Sequence, residues 1–238
     1  MSTVTKRPLS IALAAADHFR ELFDPRDYLE WHVAGSVRRN APLIGDIEHV
    51  VIPRWEDKQI EGILFSSREP RNLVWDRLDG LLAAGRVEQH LYGNGAKRAP
   101  RWGEKYRGAE HAGVVHEIWL ADQVNLGSIL AIRTGPADFS HRLVTDLLRA
   151  GYMNRGGYVH DRNAWVCVCG WSGPAPAWAA GDKGDFVREV PGGGGKEAPV
   201  CPGCRQLNRP RPAVVECPTE EKYFELAGRT YLMPEQRR

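Results

Sequence analysis

The hydrophobic and polar positions divide the chain into segments of two periods. At 46–52 the run Asp-Ile-Glu-His-Val-Val-Ile, closed by Pro53, reads as a strand whose alternation puts Asp46, Glu48 and Val50 on one face. The run Val-Val-His-Glu-Ile-Trp-Leu-Ala at 114–121 reads as a second strand, with Glu117 set in its apolar middle. A carboxylate there is unfavourable unless it faces water or a cation. Residues 86–92 alternate like a third strand. Helical spacing appears at 10–23, with apolar residues at 11, 15, 19 and 22 ahead of Pro25. It recurs at 72–85, where Leu73, Leu78, Leu81 and Leu82 form a stripe stopped by Gly85, and in Leu143, Val144, Leu147 and Leu148 before Gly151. Residues 55–70 show a mixed pattern that offers Ile60, Ile63, Leu64 and Phe65 for packing, and 1–7 read as a loose tail.

Composition narrows the class. A chain of 238 residues holds one large or two modest domains. With 32 basic and 30 acidic residues the net charge is +2, so no global field draws it to nucleic acid and any basic footprint is local. The stretch 93–108, with Lys97, Arg98, Arg101, Lys105 and Arg107, is such a place, either a solvated loop or a contact for a nucleic-acid backbone. Hydrophobic residues make up 42% of the chain without a long apolar run, and 11–16 is too short for a membrane span and lacks the shape of a signal peptide. A soluble, cytoplasmic protein without a membrane partner is expected.

The chemistry concentrates at 33–53. Gly35 and Ser36 permit a tight turn whose N–H groups and hydroxyl face an anion, and Arg38 and Arg39 add positive charge. Downstream, Asp46 and Glu48 share a strand face, where two carboxylates repel unless a divalent cation lies between them. Phosphate donors beside a metal-binding pair suggest a nucleoside triphosphate carried with magnesium; a plain polar turn followed by an edge strand with two solvated acids is the other reading.

This run resembles the active-site signature of the family X DNA polymerases, the polymerase-beta-like nucleotidyltransferases: Gly35-Ser36, one residue, Arg38-Arg39, five residues, then Gly45-Asp46-Ile47-Glu48. The likeness extends over about 30–160 and 213–238. It includes Glu117 followed 18 residues later by the glycine of Thr134-Gly135, then Asp138 and Phe139, the Leu-Arg-Ala-Gly-Tyr at 148–152, and a tail ending in Pro-Glu-Gln-Arg. The resemblance implies an α+β fold: an N-terminal helix and nucleotidyltransferase palm with a mixed sheet over 1–134, and a small thumb over 135–238. It implies that Asp46, Glu48 and Glu117 hold two Mg²⁺ or Mn²⁺ ions. Gly35, Ser36, Arg39, Gly45, Thr134, Gly135 and Asp138 would hold the nucleotide, above a cis peptide at Gly135-Pro136. The implied partners are nucleoside triphosphates and a DNA primer or primer–template, or RNA, and the reaction is nucleotidyl transfer to a 3′-hydroxyl with release of pyrophosphate. A nucleotidyltransferase acting on a tRNA end, a protein or a small molecule is the alternative, and an inactive nucleic-acid-binding relative is a third. The chain differs from polymerase beta in carrying Glu at two of the three acid positions, Ile44 for a phosphate-binding Ser, Ile132 and Arg133 for an aromatic pair, and Ser140 for an Asn.

The likeness does not cover 163–212. All five cysteines lie beyond 166, and four form the close pairs Cys167/Cys169 and Cys201/Cys204 on either side of a Gly- and Pro-rich stretch. Four thiolates on two turns are what a structural zinc requires, although the first pair has one residue between its cysteines where two are usual, so a zinc-ribbon-like insertion within the thumb is expected over free thiols, with Cys217 a small buried residue. Arg205, Arg209 and Arg211 flank it as a candidate nucleic-acid grip.

Overall fold

A computed structural model describes residues 5–61, 66–93, 98–174, 201, 203–204 and 210–237. The packing expected of Ile60, Ile63, Leu64 and Phe65, the position of Lys97, and the contacts of Arg205 and Arg209 fall outside what is described. The chain is a mixed α+β protein, with six α-helices among the described residues.

A five-stranded mixed sheet carries the acidic residues. Its order is β2 (Tyr28–Val33), β4 (Ile47–Pro53), β11 (Val114–Leu120), β10 (Tyr106–His111) and β7 (Glu88–Gln89), with β4 and β11 parallel and the other neighbours antiparallel. The alternation of β4 and β11 is two-sided. Val51 and Ile118 join Phe19, Trp75 and Leu78 of α1 (Leu9–Arg20) and α3 (Leu73–Ala83) on one face, whereas Val50 and Ile52 pack with Ala34, Leu126 and Leu130 on the other. The latter two leucines belong to α4 (Leu126–Thr134).

Helix α1 meets the core through Ala12, Ala16 and Phe19, while Ile11 is 57% exposed. Phe19 and Leu22 are buried as expected, but Ala12 and Ala16 rather than Ile11 take the inward positions in the first half of the helix. Small alanines let the helix lie close to Val37, Ile44 and Ile47, a fit that the bulkier Ile11 does not offer. Helix α3 begins as its sequence suggests, with Asn72 accepting the Trp75 N–H at 3.1 Å. Residues expected to be a tail contribute β1 (Arg7–Pro8), which pairs with β3 (Leu43–Ile44).

Two neighbouring segments differ from the pattern-based reading. Residues 86–92 do not form one strand: β7 joins the main sheet, and β8 (Leu91–Tyr92) turns away to pair with β9 (Ala99–Pro100). The mixed stretch after Pro53 folds as a separate antiparallel hairpin, β5 (Trp55–Glu61) and β6 (Ser66–Asn72).

Behind the sheet, Trp31 Nε1–H donates to His49 Nδ1 at 3.0 Å, so His49 donates from Nε2 to His116 Nδ1, also at 3.0 Å. Phe19 stacks on His116 with ring centroids 3.9 Å apart. Burial pushes the His49 pKa down to about 3 and that of His116 to about 2, so both rings are neutral.

A second layer is a four-stranded antiparallel sheet of β12 (Tyr152–Arg155), β13 (Tyr158–Val166), β14 (Ser172–Pro174) and β15 (Arg211–Val215). Val159 of β13 shares a core with Leu143 and Leu147 of α5 (Ala137–Arg149), Tyr223 and Phe224 of α6 (Glu220–Leu226), and Ala131 of α4. Helix α4 thus packs against both layers, and the main-chain bonds Gly127 N–H to Cys217 O and Cys217 N–H to Val124 O stitch them together. No helix among the described residues is long and apolar enough to cross a membrane.

Candidate active site

The short turn α2 (Gly35–Arg38) lies against the strand that carries Glu48. Ala34 N–H donates to the Glu48 main-chain oxygen at 2.8 Å, and a Cβ on Gly35 would lie 2.1 Å from Glu48 Oε2. Gly35 also has φ +62°, in the left-handed region. Both demands require glycine here. Ser36 and Gly45 are half-buried in the same loop system, and Asp46 follows directly.

Glu48 and Glu117 stand opposite one another in the parallel β4–β11 pair. Burial raises the Glu48 pKa to about 8, with further upward pressure from Glu117 and Asp46 that Arg133 and Arg39 partly offset. Asp46, although exposed to solvent, has enough protein around it that lost hydration raises its pKa, and the charge of Glu117 adds to this. The sheet therefore brings Asp46, Glu48 and Glu117 into mutual electrostatic contact across 71 residues of sequence. Three carboxylates brought near one another are hard oxygen donors of the kind a divalent ion takes, and the donor set fits Mg²⁺ or Mn²⁺ in its chemistry.

The two signature arginines turn toward the end of α4. Arg39 donates to the Thr134 carbonyl at 2.5 Å, and Arg38 to the Thr134 hydroxyl at 2.9 Å. Arg38 also pairs with Glu220 at 2.5 Å, and Glu220 in turn binds the buried Arg237 at 2.6 Å. Gly135 follows Thr134 as a linker into α5. The peptide at Gly135-Pro136 is trans, which corrects the cis expectation: both residues are extended, and Pro136 takes the position ahead of the first turn of α5. Asp138 is exposed in that turn, and the Ser140 hydroxyl is used internally, on the Ile132 carbonyl at 2.7 Å.

No protein-family model matches this chain, and no curated protein matches it. The site is therefore read from its own geometry.

That geometry includes residues the sequence reading did not single out. Tyr92 and Tyr106 donate to Glu117 Oε1 at 2.9 and 2.8 Å, and burial with the nearby carboxylate pushes both phenols above the ordinary tyrosine range. Tyr106 lies against Trp119 with ring centroids 4.1 Å apart, and the Arg133 guanidinium sits 3.5 Å from the centre of the Trp119 ring. The sequence carries little trace of this cluster, because Tyr92, Tyr106 and Trp119 lie on three separate strands. The basic stretch is more structured than a solvated loop: Arg107 lies between Trp75 and Trp102 and bonds Asp79 at 2.7 Å, and Lys105 bonds the Gly156 carbonyl at 2.9 Å.

In the second layer, the ends of β13 and β14 bring Cys167 and Cys169 to Cys201 and Cys204, with all four sulfurs within 4.8 Å of one another. Among the described residues this is the only group of three or more His, Cys, Asp or Glu side chains drawn together so closely. The three carboxylates interact electrostatically, but their oxygens are not gathered in this way. Cys169 Sγ and Cys201 Sγ are 3.7 Å apart. Zn–S bonds of about 2.3 Å in a tetrahedron set sulfurs about 3.8 Å apart, so the spacing suits such an ion. Burial opposes ionisation of Cys201, but the N–H groups of Cys204 and Gly203 aim at it and bring its pKa down to about 7. Cys217 stands apart, buried, with its thiol directed to Thr219 O.

Proposed function

We propose that the chain is a nucleotidyltransferase of the polymerase-beta type that adds nucleotides to a 3′-hydroxyl and releases pyrophosphate. The observation that carries this reading is the approach of Asp46, Glu48 and Glu117 beneath the Gly35-Ser36 turn, with Arg39 alongside. On this reading, 1–134 are a palm, 135–238 a thumb, and the four cysteines hold a structural Zn²⁺ in an insertion. The protein acts in the cytoplasm on nucleoside triphosphates and a DNA or RNA primer.

Asp46, Glu48 and Glu117 would hold two Mg²⁺ or Mn²⁺ ions, which when bound acidify the attacking hydroxyl and neutralise the triphosphate. The protein's own part is placement. Ser36 and the N–H groups at Gly35 and Gly45 face the phosphates, Arg39 adds a cation at their side, and Thr134-Gly135 with Asp138 border the nucleotide. Burial limits water around Glu48, which strengthens the attraction of its ionised form for cations.

Primer extension tests the reading. Purified protein with a labelled primer–template, each dNTP or rNTP, and Mg²⁺ or Mn²⁺ should lengthen the primer, and Asp46→Ala should abolish this. Transfer to tRNA, protein or a small molecule instead would move the assignment to another acceptor, and binding of the primer without turnover would make the chain an inactive relative.

A further inference from the structure

The tyrosine pair above Glu117 has a construction of its own. Tyr92 comes from the short β8, Tyr106 from the start of β10, and both hydroxyls reach one oxygen, Glu117 Oε1. The two phenol oxygens also lie close to each other, but with both protons given to Glu117 neither is left to donate between them. Residue 108 lies directly opposite Glu117 on β10 and is glycine; a Cβ there would fall 2.3 Å from the Tyr92 hydroxyl and 2.8 Å from its ring. Tyr92 therefore reaches Glu117 only because the facing position has no side chain. Arg101 lies over the Tyr92 ring, 4.6 Å from its centre, and covers it from the loop side.

We propose that Tyr92 and Tyr106 are positioning residues for a divalent-cation site. They occupy Oε1 of Glu117 and thereby fix Oε2 as the oxygen this residue offers to an ion shared with Asp46 and Glu48. The proposal rests on the nucleotidyltransferase reading for its ion but adds to it two side chains and a geometry that the signature does not contain. A glutamate has one more rotatable bond than an aspartate, and a carboxylate surrounded by like charges would otherwise swing outward to water. Two donors on one oxygen remove that freedom and leave the other lone pairs unused. Gly108 and Arg101 hold the donors in turn.

Mn²⁺ binding to the full-length protein, followed by electron paramagnetic resonance, tests this without requiring turnover. The Asp46→Ala variant defines which part of the signal belongs to the carboxylates. Tyr92→Phe/Tyr106→Phe keeps both rings and should weaken the Asp46-dependent binding about 10-fold or more, the usual effect of losing groups that orient a metal ligand. Gly108→Ala, which displaces Tyr92 but keeps its hydroxyl, should weaken it in the same direction. The melting temperature is read alongside to show that each variant is folded. Asp46-dependent binding unchanged within about 2-fold in the folded tyrosine variant overturns the positioning role while leaving the nucleotidyltransferase reading intact. Absence of any Asp46-dependent binding in the unaltered protein overturns both.

Discussion

Glu48 and Glu117 are in-register partners on adjacent parallel strands, two half-buried carboxylates held side by side by the main-chain pairing of β4 with β11. The pairing fixes the two backbones next to each other, so like charge here is relieved by side-chain rotation, proton uptake or a cation.

The pH dependence of stability follows. Glu48 titrates at about 8 when folded against an ordinary value of 4.5, so between those values the folded state holds a proton that the unfolded chain has released. Stability must then fall as pH rises through this window. From pH 7 to 8 the loss from Glu48 is expected to be about 1 kcal/mol, offset by a few tenths as His49 and His116, neutral when folded, lose their remaining charge in the unfolded chain. Urea denaturation of the metal-free protein should show it, Glu48→Gln should flatten the slope, and saturating Mn²⁺ should raise stability more at pH 8 than at pH 6.

Gly35→Ala should separate activity from stability. The new Cβ, 2.1 Å from Glu48 Oε2, meets the far end of a flexible side chain, so the carboxylate moves and the backbone stays. The left-handed φ adds about 1 kcal/mol of strain. Primer extension is expected to fall below detection, with the denaturation midpoint lowered only by an amount consistent with that strain.

Glu220 carries the opposite balance. It joins Arg38 of the signature loop to Arg237, which is 2% exposed. Glu220→Gln leaves a buried guanidinium without its counter-charge, a change worth about 3–5 kcal/mol. Chemical denaturation should record this loss, and Arg237→Met in the same chain should recover part of it. Arg38 is also released from its bracing, so extension should slow even at temperatures where the variant remains folded.

The cysteine cluster predicts one zinc per chain by elemental analysis. Cys201→Ser should remove it, and Cys217→Ser should leave it in place, because Cys217 lies outside the cluster. Chelation is expected to speed hydrogen exchange in β14, β15 and the end of β13 while leaving β4 and β11 protected, since the metal closes a loop in the second layer only.

Much of the architecture was legible along the chain. The strands at 47–53 and 114–120 and the helix at 73–83 lie where the two periods place them, because each buries a face whose spacing is written locally. The use of Ala12 and Ala16 in place of Ile11 was not, since alanines are a weak hydrophobic signal that becomes decisive only when a partner surface selects them. The break of 86–92 into two strands was hidden for a similar reason: alternation describes faces, not which sheet a strand joins.

The sequence alone determined the supply of chemistry: three acids, a Gly-Ser turn with arginines, and two cysteine pairs, each recognisable because residue type and short spacing survive without a fold. Tertiary structure decided who meets whom. It set Glu117 opposite Glu48, drew Tyr92 over Gly108 onto Glu117, tied both signature arginines to Thr134, and ran Arg38 through Glu220 to a buried Arg237 near the chain's end. Those contacts depend on strand register and on which faces share a core, and both are settled by packing between segments far apart in sequence.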